Sequence, residues 1–144
     1  MKDNKTNRDS KTKKSIIDTY ETIYYTDIVV ANKYTTLEEL KELFVYSDGV
    51  ELDTCITDGS CTTSTVKRKS DNKFCILIKY NHESRIKGIN KTLDLINTVS
   101  HEAGHAVLDI YESISQNVCN CSPEPFCYLL GYIAECIYKT LTKK

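Results

Sequence analysis

KTLDLINTVSHEAGHAVLDIYESI, residues 91–114, is the stretch on which the reading of this chain turns. Ile96, Val99, Ala103, Ala106, Val107, Ile110 and Ile114 recur at helical spacing and define one apolar stripe. Within that helix His101, Glu102 and His105 spell H-E-x-x-H, which uses two of the three histidines in the chain. At ~100° per residue both imidazoles fall on one face, a turn apart and roughly 160–170° from the stripe. A histidine satisfied inside a core would stand on the stripe. This pair stands opposite it.

Ahead of the helix the pattern is that of strands. Residues 22–34, TIYYTDIVVANKY, are rich in β-branched and aromatic side chains and predict a strand; SIIDTYE before them fits either strand or a helical turn. Thr36 and Glu39 form a capping box in front of Leu37, Leu40, Leu43 and Phe44, predicting a short helix to about residue 46 that Asp48-Gly49 ends. A strand through Leu52, Thr54 and Ile56, a hairpin turn at Asp58-Gly59 and a return strand over residues 61–68 follow. KSDNK then turns the chain into FCILIKY, residues 74–80. Beyond the histidine helix and a polar break, Ser122 suits an N-cap and Pro123 a first helical position. The second helix has Phe126, Leu129, Leu130, Ile133, Ile137 and Leu141 as its core stripe. Strands first and two long helices last predict an α+β fold with a small, mainly antiparallel sheet.

A chain of 144 residues suffices for one domain with a sizeable core, here residues 15–144. A net charge of −1 with 27% charged residues argues against a nucleic-acid partner. Residues 1–14 hold six basic residues against two acidic ones and no apolar run, which predicts a solvated basic tail rather than a signal or anchor. No stretch approaches the ~20 apolar residues of a membrane span. Seven cysteines, an odd number with no secretory signal ahead of them, predict reduced thiols and a cytoplasmic setting. Cys119-Asn-Cys121 lacks the spacing and the second pair of a structural zinc site.

The H-E-x-x-H spacing has a chemical purpose. Imidazoles at i and i+4 converge on one Zn²⁺ at ~2.0–2.1 Å and leave room for a third protein ligand and a water. Glu102, read here on the rim of the same face, can take a proton from water that the ion acidifies and pass it to a leaving nitrogen. Ala103, Gly104 and Ala106 keep the surface low, so that a backbone or a substrate can approach closely.

HEAGHA in a helix that follows a small sheet resembles the zincin metallopeptidases. The metzincin pattern wants glycine at position 108 and histidine at 111, where this chain has Leu108 and Tyr111. The thermolysin-like N-E-x-x-S-D helix has no counterpart in AECIYK around Glu135. TVSHEAGHAVLDI followed by EPFCYLLGYIAE is similar to small zincin-like proteins encoded by tailed bacteriophages, with Cys127 where alanine is usual. That resemblance covers about residues 90–140 and implies one zinc ion held by His101, His105 and Glu124, with Glu102 as general base. It further implies a peptide or protein substrate and, for a phage-encoded chain, the host cytoplasm.

The residues themselves leave two candidates for the third ligand, Glu124 and Glu135, on one line of the second helix but ~16 Å apart. The first-turn position favours an anion at Glu124. Both site faces lie away from the helices' own core stripes, so a shared core would not by itself turn them toward each other. Asp109 is a candidate to orient an imidazole, Tyr128 to bind an oxyanion, and His82 reads as a surface-loop residue. If peptide is bound by strand addition, residues 74–80 are expected to line the cleft. The expected function is a zinc peptidase; the alternatives are a non-catalytic zinc-binding or virion-associated interaction module, and a domain without metal.

Overall fold

Asp27–Ala31 and Phe74–Tyr80 are runs whose apolar side chains face both ways, and they lie side by side inside the sheet. In this computed structural model, which describes residues 13–83, 88 and 90–143, five strands stand in one sheet. Numbered along the chain they are β1 (Ile17–Tyr20), β2 (Asp27–Ala31), β3 (Phe44–Tyr46), β4 (Cys61–Arg68) and β5 (Phe74–Tyr80), in the spatial order β1-β2-β5-β4-β3. β2 and β5 pair in parallel and the other three pairings are antiparallel, so the sheet is mixed and the architecture α+β.

Three helices complete it: α1 (Leu37–Leu43), α2 (Lys91–Ser113) and α3 (Glu124–Leu141). α2 packs over β4 and β5, and α3 over β2 and β1. Ile28, Val30, Ile76 and Ile78 meet Val107, Ile110, Ile133 and Ile137 under these two helices. Val29, Ala31, Cys75, Leu77 and Val66 point the other way, onto Leu40, Phe44, Leu52 and Ile56. A sheet covered on both faces explains why its central strands read as unbroken apolar runs. Each large aliphatic side chain fully buried in these layers contributes about 1.5–3 kcal/mol.

Several expectations are corrected. The capping box at Thr36 and Glu39 forms, but the helix ends at Leu43 because Phe44–Tyr46 pairs with Val66–Arg68. Leu52 to Ile56 is not a strand. After a single bridge between Val45 and Glu51, the Asp53 carboxylate accepts from the Cys55 N–H and opens a 3-10 turn, Thr54–Thr57, that buries Ile56 beside Leu52. Asp58-Gly59, with Gly59 at φ +75°, therefore joins that turn to β4 rather than two strands. The strand expected over 22–34 shortens to β2, because the Thr22 hydroxyl donates to the Thr26 carbonyl and accepts from the Tyr24 N–H, closing a turn. Helix α3 starts at Glu124 after Pro123, with no side-chain cap from Ser122.

Cys119 and Cys121 form a disulfide, so the free-thiol expectation fails for this pair. The tight turn in which the Ser122 N–H donates to the Cys119 carbonyl holds their Cα atoms 5.3 Å apart, inside the bridging range. Cys55, Cys61, Cys75, Cys127 and Cys136 are free thiols. Of the expected tail, residues 1–12 lie outside the described residues, while the Lys14 carbonyl accepts from Asn32 Nδ2 at 3.0 Å. Among the described residues no helix is long and apolar enough to cross a membrane.

Candidate functional site

Burial of Val99, Ala103, Ala106, Val107 and Ile110 against the sheet orients α2 and leaves His101 and His105 outside. Both histidines are exposed, and their Nε2 atoms stand 3.1 Å apart with the ring centroids 4.7 Å apart. Two nitrogens bound to one zinc ion at ~2.0–2.1 Å in tetrahedral geometry stand ~3.3 Å apart. The two imidazoles thus already converge as ligands of one small cation would.

Glu102 turns the other way. One residue on from His101, it rotates by ~100° into the seam between α2 and β4. It is 6% exposed, and its Oε2 accepts from the Thr63 hydroxyl at 2.6 Å. The carboxylate is therefore under the histidine face rather than on its rim. Among the described residues no hydrogen bond reaches its Oε1.

β4 supplies the facing wall. Strand alternation directs Cys61, Thr63 and Thr65 toward α2, with Thr63 on Glu102 and Thr65 within reach of Asp109. Burial pushes the Cys61 thiol up, and the Glu102 carboxylate adds to the effect. Burial also raises the Asp109 carboxyl, against His105 and the Thr65 hydroxyl, which favour its charged form. Asp109 lies one turn beyond His105 on α2, and among the described residues no hydrogen bond or ion pair joins the two. β3 pairs with Val66–Arg68 alone, so on the side away from β5 Cys61–Thr65 has no strand beside it among the described residues. The open edge next to the histidines is that of β4. β5, the strand expected to line a cleft, lies between β2 and β4.

Glu124 is not brought to the histidines. It opens α3, whose Phe126 stacks edge-on against Tyr111 with centroids 5.6 Å apart. Tyr111 is ~9 Å beyond His105 along α2 and roughly 100° round from the histidine face. Glu135 pairs with Lys139 at 2.5 Å on the exposed side of α3. Tyr128 is 77% exposed and lines a groove with Tyr132 and Ile23 instead. His82 sits in the loop after β5, its Nδ1 on the Glu83 carbonyl at 2.8 Å. Among the described residues no group of three His, Cys, Asp or Glu could hold a metal ion. The donor set that fits a cation here is the pair of imidazoles.

No family model, curated protein or solved structure matches this chain.

Chemically, the site offers two converging nitrogen donors, a buried carboxylate with one oxygen held by Thr63, and a strand edge unpaired over Cys61–Thr65. Thr63 was not legible as a site residue. CTTSTVKR shows only β-branched residues, and the sole hint is that Cys61, Thr63 and Thr65 share one face of a strand.

Proposed function

We propose that the chain is a zinc-dependent peptidase of zincin type, in which His101 and His105 hold the ion and Glu102 is the general base. The observation that carries this reading is the 3.1 Å approach of the two Nε2 atoms beside a buried carboxylate and an open strand edge. When bound, the ion supplies a Lewis acid that acidifies water and polarises a carbonyl. Thr63 fixes Oε2, so that Oε1 of Glu102 is the atom that takes the proton from the attacking water. Hydrolysis places hydroxyl on the carbonyl carbon, and Glu102 returns the proton to the leaving nitrogen. The free edge of Cys61–Thr65 binds the substrate backbone as an added strand.

A donor set of two favours a second reading, a zincin-like module that binds metal without hydrolysis. One experiment separates them. Elemental analysis of the wild type and His105→Ala is expected to give about one zinc per chain and none, respectively. Glu102→Gln is then expected to keep the zinc and lose peptide hydrolysis. A wild type that takes up no zinc after supplementation sinks both readings. Zinc without hydrolysis of a peptide library leaves the module.

A further inference from the structure

The loop between α2 and α3 holds a disulfide that the fold does not need. Cys119 and Cys121 are two residues apart, and the turn that contains them is already closed by the Ser122 N–H on the Cys119 carbonyl at 3.2 Å. A bridge across so short a loop removes little freedom from the unfolded chain, and it ties no two elements together. Residues 115–125 are all exposed, and the pair with them. Cys75 and Cys136, by contrast, are buried thiols, which apolar packing keeps inert. An exposed disulfide without a structural task belongs to the reducible, exchanging kind.

The two sulfurs are not equivalent. The Cys121 N–H donates to Cys119 Sγ at 3.3 Å. A hydrogen bond to sulfur stabilises the negative charge that a thiolate carries, so Cys119 is the better-held anion of the two. Cys119 also lines a cleft of about 350 Å³ with Tyr24, Tyr111, Pro125 and Phe126. A second molecule whose sulfur meets Cys119 therefore brings its neighbouring groups against aromatic rings and a proline.

We propose that Cys119 and Cys121 form a thiol–disulfide exchange site for cysteine-containing peptides. Cys119 is the attacking sulfur and Cys121 the resolving one, and the cleft takes an apolar residue beside the peptide's cysteine. With the pair reduced, the Cys119 thiolate attacks one sulfur of a peptide disulfide. That S–S bond breaks, and the first peptide leaves as a thiolate. The Cys121 thiolate then attacks Cys119 Sγ, breaking the mixed disulfide and releasing the second peptide thiolate. The Cys119–Cys121 bond is re-formed, two electrons have passed to the peptides, and the two protons of the dithiol end on them. Peptide thiols in excess run the same steps backwards. The site lies beyond the C-terminal end of α2 and does not depend on a metal at the histidines.

The test uses the full chain in glutathione buffers, with acid quenching, alkylation and peptide mapping by mass spectrometry. In the folded wild type the pair is expected to open in excess reduced glutathione and to close again in excess oxidised glutathione, with circular dichroism unchanged. In Cys121→Ser, oxidised glutathione is expected to add to Cys119 about tenfold faster than to Cys55 or Cys127, exposed thiols of the same molecule. In Cys119→Ser, Cys121 is expected to react no faster than those two. The disulfide of cysteinyl-phenylalanine, in place of oxidised glutathione, is expected to speed addition at Cys119 several-fold and leave Cys55 unchanged. A pair that stays closed in excess reduced glutathione until the protein unfolds, or that never closes in the oxidised buffer, overturns the proposal. So does a Cys119 no faster than Cys55 and Cys127. Equal rates at Cys119 and Cys121 overturn the assignment of their roles, and equal rates with the two disulfides overturn the part given to the cleft.

Discussion

The Thr63 hydroxyl donates to Oε2 of Glu102 over 2.6 Å, joining residues 39 apart in the chain. A carboxylate as buried as Glu102 is costly unless it is hydrogen-bonded, and β4 provides that bond. The contact therefore couples the docking of α2 on β4 to the aim of the proposed base.

Thr63→Val removes the donor at nearly constant volume. Stability is expected to fall by about 1–3 kcal/mol, the cost of leaving a buried acceptor unsatisfied, and Thr63→Ser to restore most of it. Urea unfolding measures this. No loss would show that water replaces the hydroxyl without cost.

Metal affinity separates the two proposed ligands, whose Nε2 atoms the structure brings together, from Glu124. His105→Ala is expected to abolish zinc binding in a competitive chelator titration, whereas Glu124→Gln changes affinity less than threefold. A loss of tenfold or more in Glu124→Gln would mean that the first turn of α3 moves in on the bound ion.

Gly104 sits in mid-helix, and a Cβ built on it would meet nothing within 4 Å. The close approach that its size allows is not made among the described residues. Gly104→Ala is expected to stabilise the protein by about 0.5–1 kcal/mol through helix propensity. A rise in Tm checks it. If hydrolysis falls while Tm rises, substrate makes the approach instead.

Lys79 is 2% exposed and donates to the carbonyls of Asn32 and Tyr80 at 2.9 and 2.8 Å. Desolvation brings its pKa down to about 8. Between that value and the unfolded ~10.4 the unfolded chain binds the extra proton, so stability rises with pH across this window, by ~3 kcal/mol at most. Below pH ~8 both states are charged and the term is flat. The difference in unfolding free energy between wild type and Lys79→Met, followed from pH 7 to 10.5, isolates this slope from tyrosines and thiols that titrate nearby. A flat difference would place the ammonium in water.

Alkylation of the unfolded, unreduced protein is expected to label five cysteines, those outside the Cys119–Cys121 bridge, and all seven after reduction. Mass spectrometry counts them. Seven labels without reductant would show the pair to be dithiol.

Residues 91–113 determine their own conformation, because an apolar stripe at helical period buries well in only one way; His101 and His105 are then neighbours whatever surrounds them. The long helices, β4 and β5 were legible for the same reason. Phe44–Tyr46 was not: its apolar residues continue the helical pattern of Leu37–Leu43, and pairing with Val66–Arg68, distant in the chain, overrides it. Leu52 and Ile56 bury equally well from a 3-10 turn, so their spacing did not discriminate. What only the tertiary structure decided is which elements meet: Thr63 at Glu102, β3 along the Val66–Arg68 part of β4 alone, β5 between β2 and β4, and Phe126 of α3 against Tyr111 of α2. Those contacts depend on sheet order and helix placement, which arise from the combined burial of both faces of the sheet and leave no mark on the local period of any one segment.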